Sequence, residues 1–200
     1  MSSGREPTQR FERDRDASGR PEQARPRDRA GRPLPYGTDE DELTEEWEYH
    51  TVEEALATGV ELWDAQRYFE AHECLEDVWH QAPADDRRFW QGVIQVAVGC
   101  VHHQRERAAG AIRLWRRAAQ KLAAYPDVHH GVDVEQLRMF AEAAADAVEL
   151  AGFTVEVGYP EFPAMDDGPW FSEDGGPHRL PTDPAWQAAG QQRRARTLEA

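Results

Sequence analysis

The sequence predicts an all-α protein, a mostly antiparallel bundle of about five helices flanked by irregular tails. Three observations carry this expectation. Apolar residues between positions 51 and 152 recur at helical spacing. Capping residues and prolines punctuate that pattern where helices should start and stop. Nearly all the prolines lie outside it, in residues 1–50 and about 155–200. The chain therefore divides into an extended or disordered arm (1–50), a helical domain (51–152) and an irregular Pro/Gly/acid-rich tail (153–200). Roughly one hundred residues remain for the core, an ordinary single-domain size.

Thr51-Val52-Glu53-Glu54 has the form of a capping box and opens the first helix, which runs to about Asp64 with Val52, Leu56, Val60 and Trp63 on its apolar stripe. A short turn at Ala65–Arg67 leads to the second helix, Tyr68 to about His80. Pro83 and Asp85-Asp86 announce the third, about Arg87 to Arg105, because proline is accepted in a first turn. Phe89, Trp90, Val93, Ile94, Val96, Ala97 and Val101 spread around its wheel, so it should be buried on nearly all sides. Gly92 and Gly99 share a narrow stripe, each costing about 1 kcal/mol of helix propensity against alanine. A closely approaching neighbour helix is the expected compensation. The fourth helix, Ala108 to Tyr125, is amphipathic, with Leu114, Trp115 and Leu122 inward and Arg113, Arg116, Arg117 and Gln120 outward; Pro126 ends it. The fifth runs from about Val134 to Ala151, with Gly152 as its C-cap.

The net charge of −15 is unevenly distributed. Residues 39–64 hold eleven acids and no Lys or Arg, whereas residues 1–32 carry nine Arg against six acids. So acidic a chain is poorly suited to nucleic acid, which needs many cationic contacts. Pairing of the acidic segment with the basic fourth helix is the expected use of these charges. No run approaches the ~18–20 apolar residues of a membrane span, and the N-terminus has no apolar signal-peptide region. Cys74 and Cys100 sit in apolar helical stretches without metal spacing, which fits reduced core thiols in a cytoplasmic protein. The arm contains a repeat: Arg15-Asp16-x-x-Gly19-Arg20-Pro21 recurs as Arg27-Asp28-x-x-Gly31-Arg32-Pro33. It reads as a flexible extended arm or as a docking peptide.

The chemistry concentrates in Phe69-Glu70-Ala71-His72-Glu73-Cys74-Leu75-Glu76-Asp77-Val78-Trp79. His72, Glu76 and Trp79 fall within about 60° of arc on the second helix, at the edge of its apolar face. On the third helix Gln91, Gln95 and His102 share a stripe about 40° wide. These motifs, Phe69-x-Ala71-His72-Glu73-x-Leu75-Glu76-x-x-Trp79 followed by Gln91-Gly92-x-Ile94-Gln95-x-Ala97, resemble domain-of-unknown-function family 309. That family is all-helical, bacterial and archaeal, with a His-x3-Glu-x2-Trp hallmark. Gly110-Ala111 and Leu114 fit its next helix. Gly131-Val132-Asp133-Val134 and the Gly-Arg-Pro units resemble a longer actinobacterial-type subgroup. The resemblance spans about residues 52–125 and implies the helical fold, but brings no established activity.

Three readings of the candidate residues His72, Glu73, Glu76, Trp79, Gln91, Gln95 and His102 stand side by side. In the first, His72 and Glu76 meet the Gln91/Gln95/His102 stripe as a structural polar network between helices. In the second, His72, Glu76 and His102 bind a divalent metal such as zinc, iron or manganese, for structure or catalysis. The string His72-Glu73-Cys74-Leu75-Glu76 lacks the second histidine of a zinc-hydrolase signature, which speaks against a protease. In the third, the domain is a scaffold that docks a protein partner through Arg113, Arg116 and Arg117. The apolar third helix and seven tryptophans leave room for a homodimer.

Overall fold

The computed structural model describes residues 25–38 and 51–164. The first copy of the arm repeat, most of the acidic run and the end of the tail lie outside these residues. The expectation of an all-α fold holds: the described residues form five helices, α1 (Val52–Asp64), α2 (Tyr68–Gln81), α3 (Arg87–Gln104), α4 (Ala108–Leu122) and α5 (Val134–Ala151), with one small antiparallel hairpin, β1 (Val128–His129) and β2 (Val132–Asp133). Extensive packing runs from each helix to its neighbour in sequence, α1 to α2, α2 to α3, α3 to α4 and α4 to α5. Among the described residues, no helix is long and apolar enough to cross a membrane.

Local chemistry sets the helix ends. Thr51 is extended and accepts the Glu54 N–H at 3.1 Å, satisfying a donor that the first turn of α1 would leave orphaned. Asp133 does the same for Gln136 at 2.8 Å at the start of α5. Gly152, at φ +79°, closes α5 in a conformation that costs glycine nothing. The α1–α2 and α3–α4 turns use a different device. Gln66 and Glu106 hold positive φ (58° and 59°), and the next residues donate back five positions, Arg67 to Leu62 and Arg107 to His102. This is the Schellman pattern with a glutamine and a glutamate where glycine is usual. Gln104 Nε2 donates to the Gln66 carbonyl at 3.0 Å, so the two turns lie side by side.

The core is continuous, with Trp63, Tyr68, Phe89, Trp90 and Trp115 fully enclosed. The apolar load of α3 is thus met within the chain. Leu114, expected inward, is only half-buried, and α4 ends at Leu122, three residues earlier than its pattern suggests. The close approach read from the glycine stripe is present: a Cβ on Gly92 would meet Leu122 at 2.9 Å and one on Gly99 would meet the Trp115 ring at 2.4 Å. Trp115 is further held by its Nε1–H, which donates to the Val96 carbonyl at 3.2 Å. Residues 153–164 are irregular but packed down. Phe162 meets Trp63 edge-on, Trp63 Nε1 donates to the Pro160 carbonyl at 2.9 Å, and the Phe162 N–H caps Asp64 at 2.6 Å.

Gly99→Val should destabilise the domain by about 1–3 kcal/mol through overpacking against Trp115. Urea unfolding checks this; an unchanged midpoint would mean that α4 has room to withdraw.

Candidate functional site

Two places gather polar groups, one at each end of α3. The first lies where the α1–α2 and α3–α4 turns meet, and the second copy of the arm repeat is seated on it. Residues 26–34 fold into a small loop of their own. Asp28 organises it: its carbonyl accepts the Gly31 N–H at 2.6 Å and its carboxylate accepts the Arg32 N–H at 2.6 Å. The Leu34 N–H closes the loop on the Pro26 carbonyl at 2.8 Å.

That loop rests on the Phe69 ring. Arg27 and Arg105 place their guanidinium groups 5.9 and 5.4 Å from the ring centroid, within cation–π range. Arg105 Nε donates to the Ala30 carbonyl at 2.6 Å, and Arg32 Nη2 donates to the Gln104 carbonyl at 3.0 Å. Gly31 is buried at the centre of the contact with φ +69°. A Cβ there would fall 2.1 Å from both Phe69 Cδ2 and Arg105 Nη2, so contact and backbone conformation both demand glycine.

His72 lies one turn below Phe69, its ring 4.9 Å from the Phe69 ring and its Nδ1–H hydrogen-bonded to the Phe69 carbonyl. Burial, aided by the Arg105 and Arg27 charges, holds its pKa down at about 4 against the usual 6.5. The imidazole is therefore neutral at pH 7. Glu73 stands exposed on the next position. Loss of hydration, then repulsion from Glu76 and Glu70, pushes it up to about 7, although its exposure screens much of that effect. Beneath the dock Glu70 is fully buried, clasped by Arg67 through two contacts of 2.6 Å. Sequence reasoning passed over this i,i+3 pair, though its spacing was a usable signal. Arg105 is lowered to about 10 by burial and by the neighbouring Arg107 and Arg27 charges.

The other candidate residues are dispersed. Glu76 is exposed, Gln91 is exposed, and Trp79 is half-buried with its ring 4.7 Å from His80. The Gln91/Gln95/His102 stripe does not meet the His72/Glu76 edge. Lys121 of α4 donates to Gln95 Oε1 at 2.8 Å, and His102 lies over Gly110 of α4. The glycine stripe explains the difference: Gly92 and Gly99 lie about 60–80° round the wheel from His102, so the helix they admit takes the polar stripe with it. Burial and then Arg105, Arg107 and Arg113 lower the His102 pKa. The ligand atoms of His72, Glu76 and His102 do not converge within 4.8 Å of one another. On α4, Arg116 pairs with Asp146 at 2.5 Å and Glu149 at 2.9 Å of α5, while Arg113 and Arg117 are exposed. The charge pairing of α4 seen here is thus with α5. Cys74 and Cys100 are free and buried; burial pushes Cys74 up to about 12 and raises Cys100 further, which leaves neither a ready nucleophile.

The second place is at the start of α3 and was not singled out from sequence. Asp86, His129 and His130 offer ligand atoms that all lie within 4.8 Å of one another, which among the described residues is the one such group of three. Both imidazole Nε2 atoms lie 3.0 Å from the same Asp86 Oδ1. Burial works to raise the Asp86 carboxyl, but hydrogen bonds from His129 and His130 outweigh it and the net direction is down. Phe89 packs under both histidines, and His130 stacks on Trp90 at an interplanar angle of 15°.

The depressed His72 pKa has a measurable consequence. Between about pH 6.5 and 4 the unfolded chain binds a proton that the folded chain refuses, so stability falls as pH drops through that window. His72→Asn keeps an N–H for the Phe69 carbonyl and removes the titration. Glu73 works in the opposite sense but is present in both chains, so it cancels in the comparison. On going from pH 7 to pH 4.5, urea unfolding should show the parent losing about 2–3 kcal/mol relative to His72→Asn. A difference that stays constant with pH would mean that His72 protonates as easily folded as unfolded.

Residues 56–114, from α1 into α4, match the model of a family described as Domain of unknown function (DUF309). The uncharacterised protein YpuF of Bacillus subtilis (strain 168) is 44% identical over 66 residues, covering 32% of this chain and 38% of that protein. The match therefore spans less than half the length of that relative. The matched residues 56–114 hold the His72-x3-Glu76-x2-Trp79 helix and all of α3, so it is over this stretch that the chain is similar to the DUF309 family.

Proposed function

We propose that this chain is a helical docking module whose cradle, formed by Phe69, His72, Gln104 and Arg105, binds segments of the form Arg-Asp-x-x-Gly-Arg-Pro. In this reading its own residues 27–33 are the resident ligand, and a partner presenting the same motif would compete for the seat. The observation that carries the reading is Gly31, buried against Phe69 and Arg105 at positive φ where no other residue fits. The rest of the repeat is also engaged. Arg27 covers the ring, Asp28 shapes the loop and Arg32 reaches the Gln104 carbonyl.

The first copy, residues 15–21, lies outside the described residues and carries the same Arg, Asp, Gly, Arg and Pro. Its composition makes it a second occupant for the same seat. His72 serves here as a neutral support that orients the Phe69 turn. Glu73 lies within electrostatic reach of Arg27, and its ionised form attracts a basic segment to the cradle. Two free buried thiols fit a reducing, cytoplasmic setting. A scaffold working through Arg113, Arg116 and Arg117 is less favoured, because Asp146 and Glu149 already engage Arg116.

Limited trypsin digestion of the full chain tests the proposal, since the arm offers Arg27 and Arg29 as cleavage sites, Arg25 and Arg32 being protected by the prolines that follow them. Gly31→Val should expose the bonds after Arg27 and Arg29 to cleavage at least tenfold faster while the far-ultraviolet helix signal is unchanged. A synthetic peptide of residues 25–38 should then bind the Gly31→Val chain and fail to bind when Phe69→Ala is added. Cleavage at the parental rate, or no peptide binding to the Gly31→Val chain, would reject the docking reading.

A further inference from the structure

We infer that Asp86, His129 and His130 form a binding site for a divalent transition-metal ion, separate from the His72 helix and independent of the docking reading. The inference rests first on convergence. One carboxylate oxygen faces two imidazole Nε2 atoms at 3.0 Å each. An ion about 2.1 Å from each atom would subtend nearly a right angle across either edge, the arrangement of adjacent ligands in two-histidine, one-carboxylate sites. Such a site leaves further positions for water or for a ligand.

Two departures from local preference point to the same place. Asp86 is the N-cap residue of α3, where an aspartate ordinarily accepts a backbone N–H from the first turn, yet it makes no side-chain capping bond and aims at the histidines. His130 and Gly131 form the two-residue connection of the β1–β2 hairpin, both at positive φ (51° and 68°). That turn type prefers Asn-Gly. A histidine in the first position keeps a strained backbone, and what it gains is an imidazole beside Asp86. The surroundings are those of a supported site. Phe89 lies under both rings, Trp90 stacks on His130 and the Tyr125 ring lies 4.9 Å from His129, which fixes the ligands and limits access of water. The charged neighbours in sequence are Asp85, Asp127 and Asp133, which add attraction, and the exposed Arg87 and Arg88, of which Arg87 donates from Nε to the Ala82 carbonyl at 3.2 Å.

Titration of the chelator-stripped full chain with Zn2+, followed by calorimetry, and with Co2+, followed by visible absorption, decides the matter. The parent should take up one ion per chain and gain thermal stability with Zn2+. His130→Asn suits the hairpin turn better than histidine, so it should fold and be at least as stable without metal, yet bind Zn2+ more than tenfold more weakly. Asp86→Asn should weaken binding by a similar factor, and His72→Asn should leave it unchanged. No uptake by the parent, or equal affinity in His130→Asn, would overturn the assignment. Loss on His72→Asn alone would overturn it too, and would place the ion on α2.

Discussion

A Cβ on Gly99 would stand 2.4 Å from the Trp115 indole, and one on Gly92 would stand 2.9 Å from Leu122. The two glycines let α4 lie against the backbone of α3, and several other features follow from that one contact. The polar stripe of α3 turns with its glycines toward α4, so Gln95 finds Lys121 and His102 covers Gly110. The face of α2 that carries Phe69 and His72 is then left without a partner helix at its N-terminal end. The arm fills that gap. A pair of residues costing about 1 kcal/mol each in helix propensity thus bears on which surface of the motif helix the arm covers.

The seat is built from conformations that side chains usually avoid. Gln66 and Glu106 each hold a left-handed backbone, at a cost of about 1–2 kcal/mol per residue. Glycine in either place would relax the turn, but it would remove nothing that the helices themselves need. What the pair accomplishes is to stop α1 and α3 sharply and at the same level. Gln104 can then bond the Gln66 carbonyl, and the backbone of α3 ends beside the arm. Both strained residues thus lie at turns whose geometry, and not their own stability, positions the contact with the arm.

The helices were legible because each declares itself locally. Thr51 and Asp133 cap, Gly152 closes, and the apolar stripes repeat at 3.6 residues, so the start of α1 and both bounds of α5 follow from neighbours in sequence. The candidate sites were not legible in the same way. His72 was recognisable as important, but its partners Arg27 and Arg105 come from segments 45 and 33 positions away, counted on the numbering. The two-residue strands β1 and β2 are too short to carry any alternation. The turn that joins them uses His-Gly in place of Asn-Gly, so its chemistry was hidden behind what looked like an ordinary loop. Glu70 and Arg67 were the exception, a pair with a buried carboxylate whose i,i+3 spacing at the start of α2 was open to reading.

The geometry of α3 also keeps the two proposed sites apart. Its 18 residues span about 27 Å, with Asp86 at the N-terminal end and Arg105 just past the C-terminal end. Groups so far apart with no shared partner contribute to stability almost additively, so variants at one end should not disturb measurements at the other. The helix dipole acts in opposite senses at these ends. At the C-terminal end its negative pole favours the cationic arm, adding to the attraction of Glu73. At the N-terminal end its positive pole opposes a metal ion, by about 0.3–1 kcal/mol for a unit charge at an exposed end. Direct coordination by two imidazoles and a carboxylate outweighs a term of that size. The dipole therefore lowers the affinity at Asp86 without deciding whether an ion binds, whereas at Arg105 it reinforces a contact already made by hydrogen bonds.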